Sequence, residues 1–469
     1  MSLDDQAAPA SKPTPSKLPK KNQPSKPSSQ DDLFDDSEDT ELDEALRRSL
    51  EDQGRGREER RAGPGQKKGG VGERKGVGEG GKRPRSPSSS SPSSQQKKSL
   101  IQRKLEAAEP YGFLLTKVED LPSSHRDSHS IFLSDLLHPS LGQLASSLQI
   151  NFMVELPFLT MAYSVHGLQD LPLVLLYGAE NLDFSHPSLP QNIRAVRVKP
   201  KYPFGTHHTK MMVLSYSCGG VRVVVHTANL VGSDWSNRTQ GLWVSPLCPA
   251  LAPGATGGEG GAGFRGALLR YLRYYEVTAV HQFIAKIEKA DMSAIKVAFV
   301  SSVPGSHKEA SSDLWGHRAV SRLLRRSVPP SISSWGVIAQ ASSIGSLGPT
   351  PDSWLEGELG PSLGSKNVRF VYPSKTDVLG SYDGRAGGAC LPYSRQTAAK
   401  QPWLGALLHH WRAGASNRTR APPHIKTYTR ERGGELAFFL LTSANLSKAA
   451  WGSVNKAGNS CLVSESRGS

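Results

Sequence analysis

Cysteine is scarce in this chain: four residues, Cys218, Cys248, Cys390 and Cys461, stand far apart with no C-x-x-C pair among them. Neither a disulfide framework nor a zinc knuckle is encoded, and a reducing compartment is expected. Long apolar runs are missing as well. No stretch approaches the roughly 20 residues needed to cross a bilayer, and the amino terminus, MSLDDQAAPASKPTPSKLPKK, lacks the apolar core of a signal peptide. A soluble, intracellular protein is expected. The Asn-x-Ser/Thr triplets at Asn237, Asn417 and Asn445 then read as chance. Acid is the third shortage, with 42 Asp and Glu against 57 Lys and Arg, a formal charge of +15 and a pI near 9.6. That surplus favours a polyanionic partner, nucleic acid or an anionic membrane surface, and charge alone does not choose between them. A chain of 469 residues has room for two ordinary domains and a tail.

Composition changes near residue 105. Before it, Ser, Pro, Gly, Lys, Arg and Glu dominate and aromatics are nearly absent, so residues 1–105 are expected to be a disordered tail that cannot bury enough apolar surface to order itself. Within it Lys82-Arg83-Pro84-Arg85, followed by Lys97, Lys98, Arg103 and Lys104, has the character of a nuclear import signal, with a solvated basic linker as the plain alternative. Ser86 and Ser91 each precede a proline, and phosphate there would alter the charge of that cluster. One island, residues 35–53, has helical periodicity: Leu42, Ala45, Leu46, Ser49 and Leu50 follow an acidic lead, and Asp52 closes the pattern. It resembles a ubiquitin-interacting helix, and a transient amphipathic helix without a ligand fits equally.

From residue 106 onward, helix and strand patterns alternate, which makes the class α/β. SIFLSDLLHPSLGQLASSLQI (130–150) and LLRYLRYYEVTAVHQFIAKIEKADM (268–292) read as helices; LPLVLLYG, VRVVVHTANL, IKVAFVSSV, VRFVYPS and LAFFLLTSANL read as buried strands. A long-range repeat runs through this region. His208-Thr209-Lys210 precedes a strand ending in HTANL, and His424-Ile425-Lys426 precedes one ending in TSANL, each followed closely by Trp. Two homologous α/β halves are expected, 106–290 and 291–469, each bringing a His-x-Lys-Asn set to a shared seam. Alternation along a strand puts the His and Lys of each copy on one face.

Two lysines and two asparagines around one point suit a phosphoryl group, because fixed donors neutralise the oxygens whose charge grows as a fifth ligand arrives. Two histidines then divide the covalent work. One attacks phosphorus; the other protonates the leaving oxygen and later activates water. Metal ligation is the competing use of these histidines, but neither copy has an Asp, Glu or Cys nearby and a lysine beside a cation would be repelled. No metal and no cofactor are expected.

The paired H-x-K…N pattern resembles the phospholipase D superfamily, and the fuller phrases FGTHHTKMM, TQG, SSIGSLG, LPYS, PHIKTY and TSANLSKAAWG are similar to its tyrosyl-DNA phosphodiesterase family, in matching order from about Tyr111 to Gly452. The resemblance implies two similar α-β-α domains related by a pseudo-twofold. It implies repair of DNA 3′ ends, single- or double-stranded, by removal of tyrosyl peptides such as trapped topoisomerase I, leaving a 3′-phosphate. His208 would be the nucleophile and His424 the general acid and base. Lys210, Lys426, Asn229 and Asn445 would hold phosphoryl oxygens and Gln240 would orient a histidine. His207 would be packed or hydrogen-bonded rather than reactive. Ser343, Ile344, Gly345 and Ser346, with Ser447, Lys448 and Ala449, would line the DNA strand through hydroxyls and backbone amides, and Phe204 would pack on a base. A nuclear monomer is implied, with the cytoplasm as a second location, no membrane partner, and a tail that meets ubiquitin or single-strand-break repair proteins.

The ending departs from the family, which continues past SANLSKAAWG through two further strands bearing a glutamate that supports a catalytic histidine. Here SVNKAGNSCLVSESRGS follows, short and polar, with Glu465 as the only substitute. An exposed sheet edge and weakened turnover are therefore expected. Two other functions stay open: a DNA-end or ubiquitin binder without turnover, and a lipid- or nucleic-acid-cleaving superfamily member. The latter is disfavoured by the lack of an Asp after the His-x-Lys lysine.

Overall fold

The structure, a computed structural model, describes residues 97–179, 189–199, 205–332, 334–455, 460–463 and 465–468, the last segment as backbone only. The island at 35–53, the basic run at 82–85 and Phe204 lie outside the described residues. A helix, Leu100–Ala107, already occupies part of the stretch assigned to the tail. Ser99 and Gln102 form a reciprocal capping box at its start, and the buried Lys104 ammonium donates to the Ser130 carbonyl at 2.5 Å. The expected boundary at 105 therefore moves to before Ser99.

The class is α/β, as the alternating pattern predicts. Among the described residues up to Val244 the strands are β1 (Phe113–Thr116), β2 (Ser130–Ile131), β3 (Leu144–Asn151), β4 (Leu173–Tyr177), β5 (Ile193–Arg197), β6 (Thr206–His207), β7 (Met211–Tyr216), β8 (Val221–His226) and β9 (Gly241–Val244). All but β6 form one sheet in the order β2-β1-β9-β8-β7-β3-β4-β5. Its central strands β7 and β8 are buried along their whole length, as strands covered on both faces must be. Met211 and Val213 point into one core beneath helices Phe264–Arg273 and Thr278–Glu288; Met212 and Leu214 point into another beneath Leu100–Ala107 and Leu156–Ser164. Helix, sheet and helix stack in three layers.

The second half contributes β10 (Ser301–Ser302), β11 (Gly305–Lys308), β12 (Gly336–Gln340), β13 (Val368–Val371), β14 (Leu408–His409), β15 (Lys426–Arg432), β16 (Glu435–Thr442), β17 (Ser453–Val454), β18 (Ser460–Val463) and β19 (Glu465–Gly468). Its main sheet runs β14-β13-β12-β15-β16. The path β5-β4-β3-β7-β8 has the same order and directions: three parallel strands, then an antiparallel strand behind His-x-Lys, then one leading to Ala-Asn-Leu.

Four segments differ from expectation. Residues 130–150 are not a helix, because Pro139 lacks an amide donor and Gly142 sits at φ 124, so two short 3₁₀ turns lead into β3 instead. The long helix expected at 268–292 is two, broken where Glu276 takes a left-handed φ of 53. IKVAFVSSV is strand only at Ser301–Ser302: Ile295, Phe299 and Val300 are buried for packing, and β19 is the strand that meets β10. Lastly, the described residues after Gly452 are not a bare polar end: Cys461 and Val463 are buried, β18 pairs with β11 and β17, and β19 lies between β10 and β6, while the main sheet keeps β16 as its edge.

The halves are fastened by polar contacts that the apolar pattern does not disclose. Arg418, buried between them, donates to the Thr116 carbonyl at 2.8 Å and to Ser130 Oγ at 2.6 Å. Thr239 takes the amides of His424 and Ile425 on its carbonyl and bridges to Pro423. Replacing Arg418 with Met removes two charged donors from this seam, and a loss of about 3 kcal/mol in urea unfolding is expected.

Candidate active site

Each His-x-Lys segment folds the same way locally. Lys210 Nζ donates to the carbonyl of His208 at 3.2 Å, and Lys426 Nζ to the carbonyl of His424 at 2.5 Å, so each lysine curls back over the histidine two residues before it. Neither lysine has any exposed surface, whereas His208 is half-buried and lies with one ring nitrogen, Nδ1, 3.2 Å from Lys210 Nζ. Phe152, at the end of β3, backs both: its ring centroid is 5.2 Å from that of His208 and 5.8 Å from Lys210 Nζ. His207 faces the other way, bonding through Nε2 to Tyr275 Oη at 2.9 Å, while Thr209 bonds to Tyr271, which bonds to Tyr275. It is a packed and hydrogen-bonded residue.

The two sets share one place. His424 is buried and its pKa is held well below the ordinary value, first by desolvation, then by the charges of Lys426, Arg238 and Lys210. A lysine of the first half thus acts on the histidine of the second. Gln240, also from the first half, lies with both amide atoms near His424 Nδ1, at 3.0 and 3.1 Å. Its Oε1 accepts from Thr227 and its Nε2 donates to the Asp234 carbonyl, which fixes the amide. A Cβ on Gly241 next to it would stand 2.7 Å from the tips of Ile425 and Leu441, which would then have to shift.

The asparagines flank these groups. Asn229 donates its backbone amide to Asp234 Oδ2 at 2.6 Å and accepts from Trp235 on its carbonyl; its buried side-chain oxygen has no partner among the described residues. Asn445 Oδ1 accepts from Ser342 Oγ and the Ser343 amide, both at 3.2 Å, which leaves its Nδ2 to face a ligand. The expected strand-binding loops meet: Ile344 bridges to Leu446, Gly345 donates to the Leu446 carbonyl, and a Cβ on Gly345 would touch Ser447. Their backbone offers less than expected. The amides of Ser343, Ile344 and Gly345 are spent on Asn445, Pro392 and Leu446, and the Ile344 side chain is core, so the loop presents the hydroxyls of Ser343 and Ser346 and the Ser346 amide. Ser447 caps the one-turn helix Lys448–Trp451 through its hydroxyl, and Lys448 and Ala449 stand half-buried on that turn.

Three residues escape sequence reasoning. Asp234 and Arg238, both buried, pair at 3.1 Å, with Asp234 Oδ2 3.4 Å from His424 Nδ1. His226 ends β8 and is fully buried, its pKa pushed down to about 3 by desolvation and by Lys210. The available signal was a lone carboxylate five positions after Asn229, in the stretch NLVGSDWSN that holds no other charge. As for the substitute carboxylate, the register puts Glu465 beside Thr206, two residues before His208. Among the described residues no group of three or more His, Cys, Asp or Glu is placed to hold a metal, and no helix is long and apolar enough to cross a membrane.

The sequence model of one family, Tyrosyl-DNA phosphodiesterase, matches residues 112–465, which takes in both His-x-Lys sets and the strands up to β19. The chain belongs to the tyrosyl-DNA phosphodiesterase family. Among its relatives, tyrosyl-DNA phosphodiesterase 1 of Drosophila melanogaster is 44% identical over 375 residues, covering 76% of this chain and 65% of that protein. A probable tyrosyl-DNA phosphodiesterase of Caenorhabditis elegans is 33% identical over 375 residues, covering 76% and 82%. The chain thus spans just under two thirds of the length of the fly relative. A crystal structure of the yeast tyrosyl-DNA phosphodiesterase shares the fold, with a TM-score of 0.58 over 76% of this chain and 88% of that one at 18% identity.

Burial of neutral histidines makes the folded family domain acid-sensitive. His226 has a folded pKa of about 3, below its unfolded value near 6.5. The unfolded chain therefore binds more protons, and stability rises with pH between those values. Lowering the pH from 6.5 to 5 is expected to remove roughly 1.5 kcal/mol through this residue, and His226→Asn flattens that part of the dependence in urea unfolding followed at both pH values.

Proposed function

We propose that the chain hydrolyses the phosphodiester joining a DNA 3′ end to a tyrosine, such as that of trapped topoisomerase I, through a phosphohistidine. The observation that carries this reading is the crossing of the halves at one point: Lys210 acts on His424, and Gln240 of the first half holds the ring of the second. A ring nitrogen of His208 attacks phosphorus while Lys210, Lys426, Asn229 and Asn445 take the non-bridging oxygens. The phosphorus–oxygen bond to tyrosine breaks, and the proton of His424 goes to the departing phenolate. Water then attacks the phosphohistidine, His424 accepts a water proton, the phosphorus–nitrogen bond breaks, and a 3′-phosphate leaves. The charge that metal ions supply elsewhere in phosphoryl transfer comes here from the two buried ammonium groups.

The strand loops suit a single DNA strand approached through hydroxyls, and the excess of basic residues suits its phosphates. We place the protein in the nucleus as a monomer, with the basic run from Lys82 as its import signal and the island at 35–53 as a ubiquitin-binding helix. The reading as a binder without turnover rests on the departure after Gly452, where a glutamate that supports a catalytic histidine would be missing; the pairing of β17, β18 and β19 supports the catalytic reading over it.

Single-turnover release of a tyrosine mimic from a DNA 3′ end, measured in chelator, tests the reading. His208→Ala is expected to abolish release and Lys210→Ala or Lys426→Ala to slow it by about 10²–10³. His424→Ala is expected to accumulate a covalent protein–DNA adduct. Release unaffected by any of these substitutions would sink the proposal.

A further inference from the structure

We propose that Asp234 is the positioning residue for the acid–base histidine: its carboxylate, 3.4 Å from His424 Nδ1, keeps that ring able to carry a proton and ties this ability to the placement of Asn229. The inference rests on the function proposed above and names the group that makes its acid step workable.

His424 sits among cations. Burial opposes its protonation most, Lys426, Arg238 and Lys210 oppose it further, and the backbone of Thr227 favours it. A general acid must nevertheless hold its proton when the tyrosyl phosphate arrives. Gln240 is neutral and fixed by Thr227 and the Asp234 carbonyl; it orients the ring and supplies no charge. Asp234 is the carboxylate in contact with the ring. Its position is set on every side: Oδ1 accepts from Arg238 Nη1 at 3.1 Å, Oδ2 from the Asn229 amide at 2.6 Å, and its own amide donates to the Val231 carbonyl. Its Oδ2 thus spans a phosphoryl-binding residue and the proton donor. The Asp234 side chain faces the imidazolium before phenolate leaves and again when His424 takes the proton of the attacking water.

The test uses the full chain and two DNA 3′-phosphodiesters, one leaving tyrosine and one leaving p-nitrophenol. Tyrosine, with a phenol pKa of about 10, needs a proton as it departs, whereas the far more acidic nitrophenol does not. For Asp234→Asn, tyrosine release is expected to slow by about 10²-fold in kcat with KM within about threefold, and nitrophenol release by less than about tenfold. The alkaline limb of the tyrosyl pH profile moves to lower pH, and Asp234→Glu restores part of the rate. A residue that only braces the loop would slow both leaving groups alike and leave the limb where it was, and that result would overturn the proposal. Should Asp234→Asn fail to fold, Arg238→Gln reads the same balance from the other side: with one opposing cation gone the alkaline limb is expected at higher pH, and an unmoved limb overturns the proposal. An adduct trapped in His424→Ala together with leaving-group-blind Asp234→Asn rejects this inference alone; absence of the adduct rejects the parent reading.

Discussion

Two ammonium groups without any exposure to water, Lys210 and Lys426, act on one buried histidine, and the arrangement of the site follows from that crowding. Taking a cation out of water is unfavourable by several kcal/mol, and a second like charge nearby adds to it. Each lysine recovers part of this by donating to the carbonyl of its own histidine. In the proposed reaction a phosphate diester would bring negative charge into this field. The same field lowers the pKa of both His226 and His424, and a carboxylate, Asp234, stands beside the second of them.

Delivering two lysines from two different sheets to one place requires the halves to be locked in register. Thr239 does this by accepting two amides of the second His-x-Lys strand, Arg418 by reaching back into β1 and β2, and Ile425 and Leu441 by joining the core of the first half. Gly241 lets those two side chains come close. The seam is therefore part of the site.

The repeated His-x-Lys and Ala-Asn-Leu words were legible because strands have a period of two and each word ends a buried apolar run; the same runs disclosed the α/β class. Asp234 and Arg238 were not, since their meaning depends on His424, whose place beside them is decided only by tertiary packing. Local apolar content also misled. Residues 130–150 carry enough leucine for a helix, yet Pro139 and Gly142 forbid one, and IKVAFVSSV has strand composition but little to pair with. The loop Ser343–Ser346 was found by its serines, but which of its amides were already taken could not be read from the chain alone.

The parallel pairing of β19 with β6 joins position 465 to position 206. Contacts of such sequence separation close late, because the intervening chain must first be organised. During synthesis the first half can build its three layers well before the strand that flanks His207 has left the ribosome. The segment of His208 is thus anchored early on one side, through His207 and Thr209 to Tyr275 and Tyr271, and late on the other, so that a nascent or proteolytically shortened chain would hold β6 without its pairing partner.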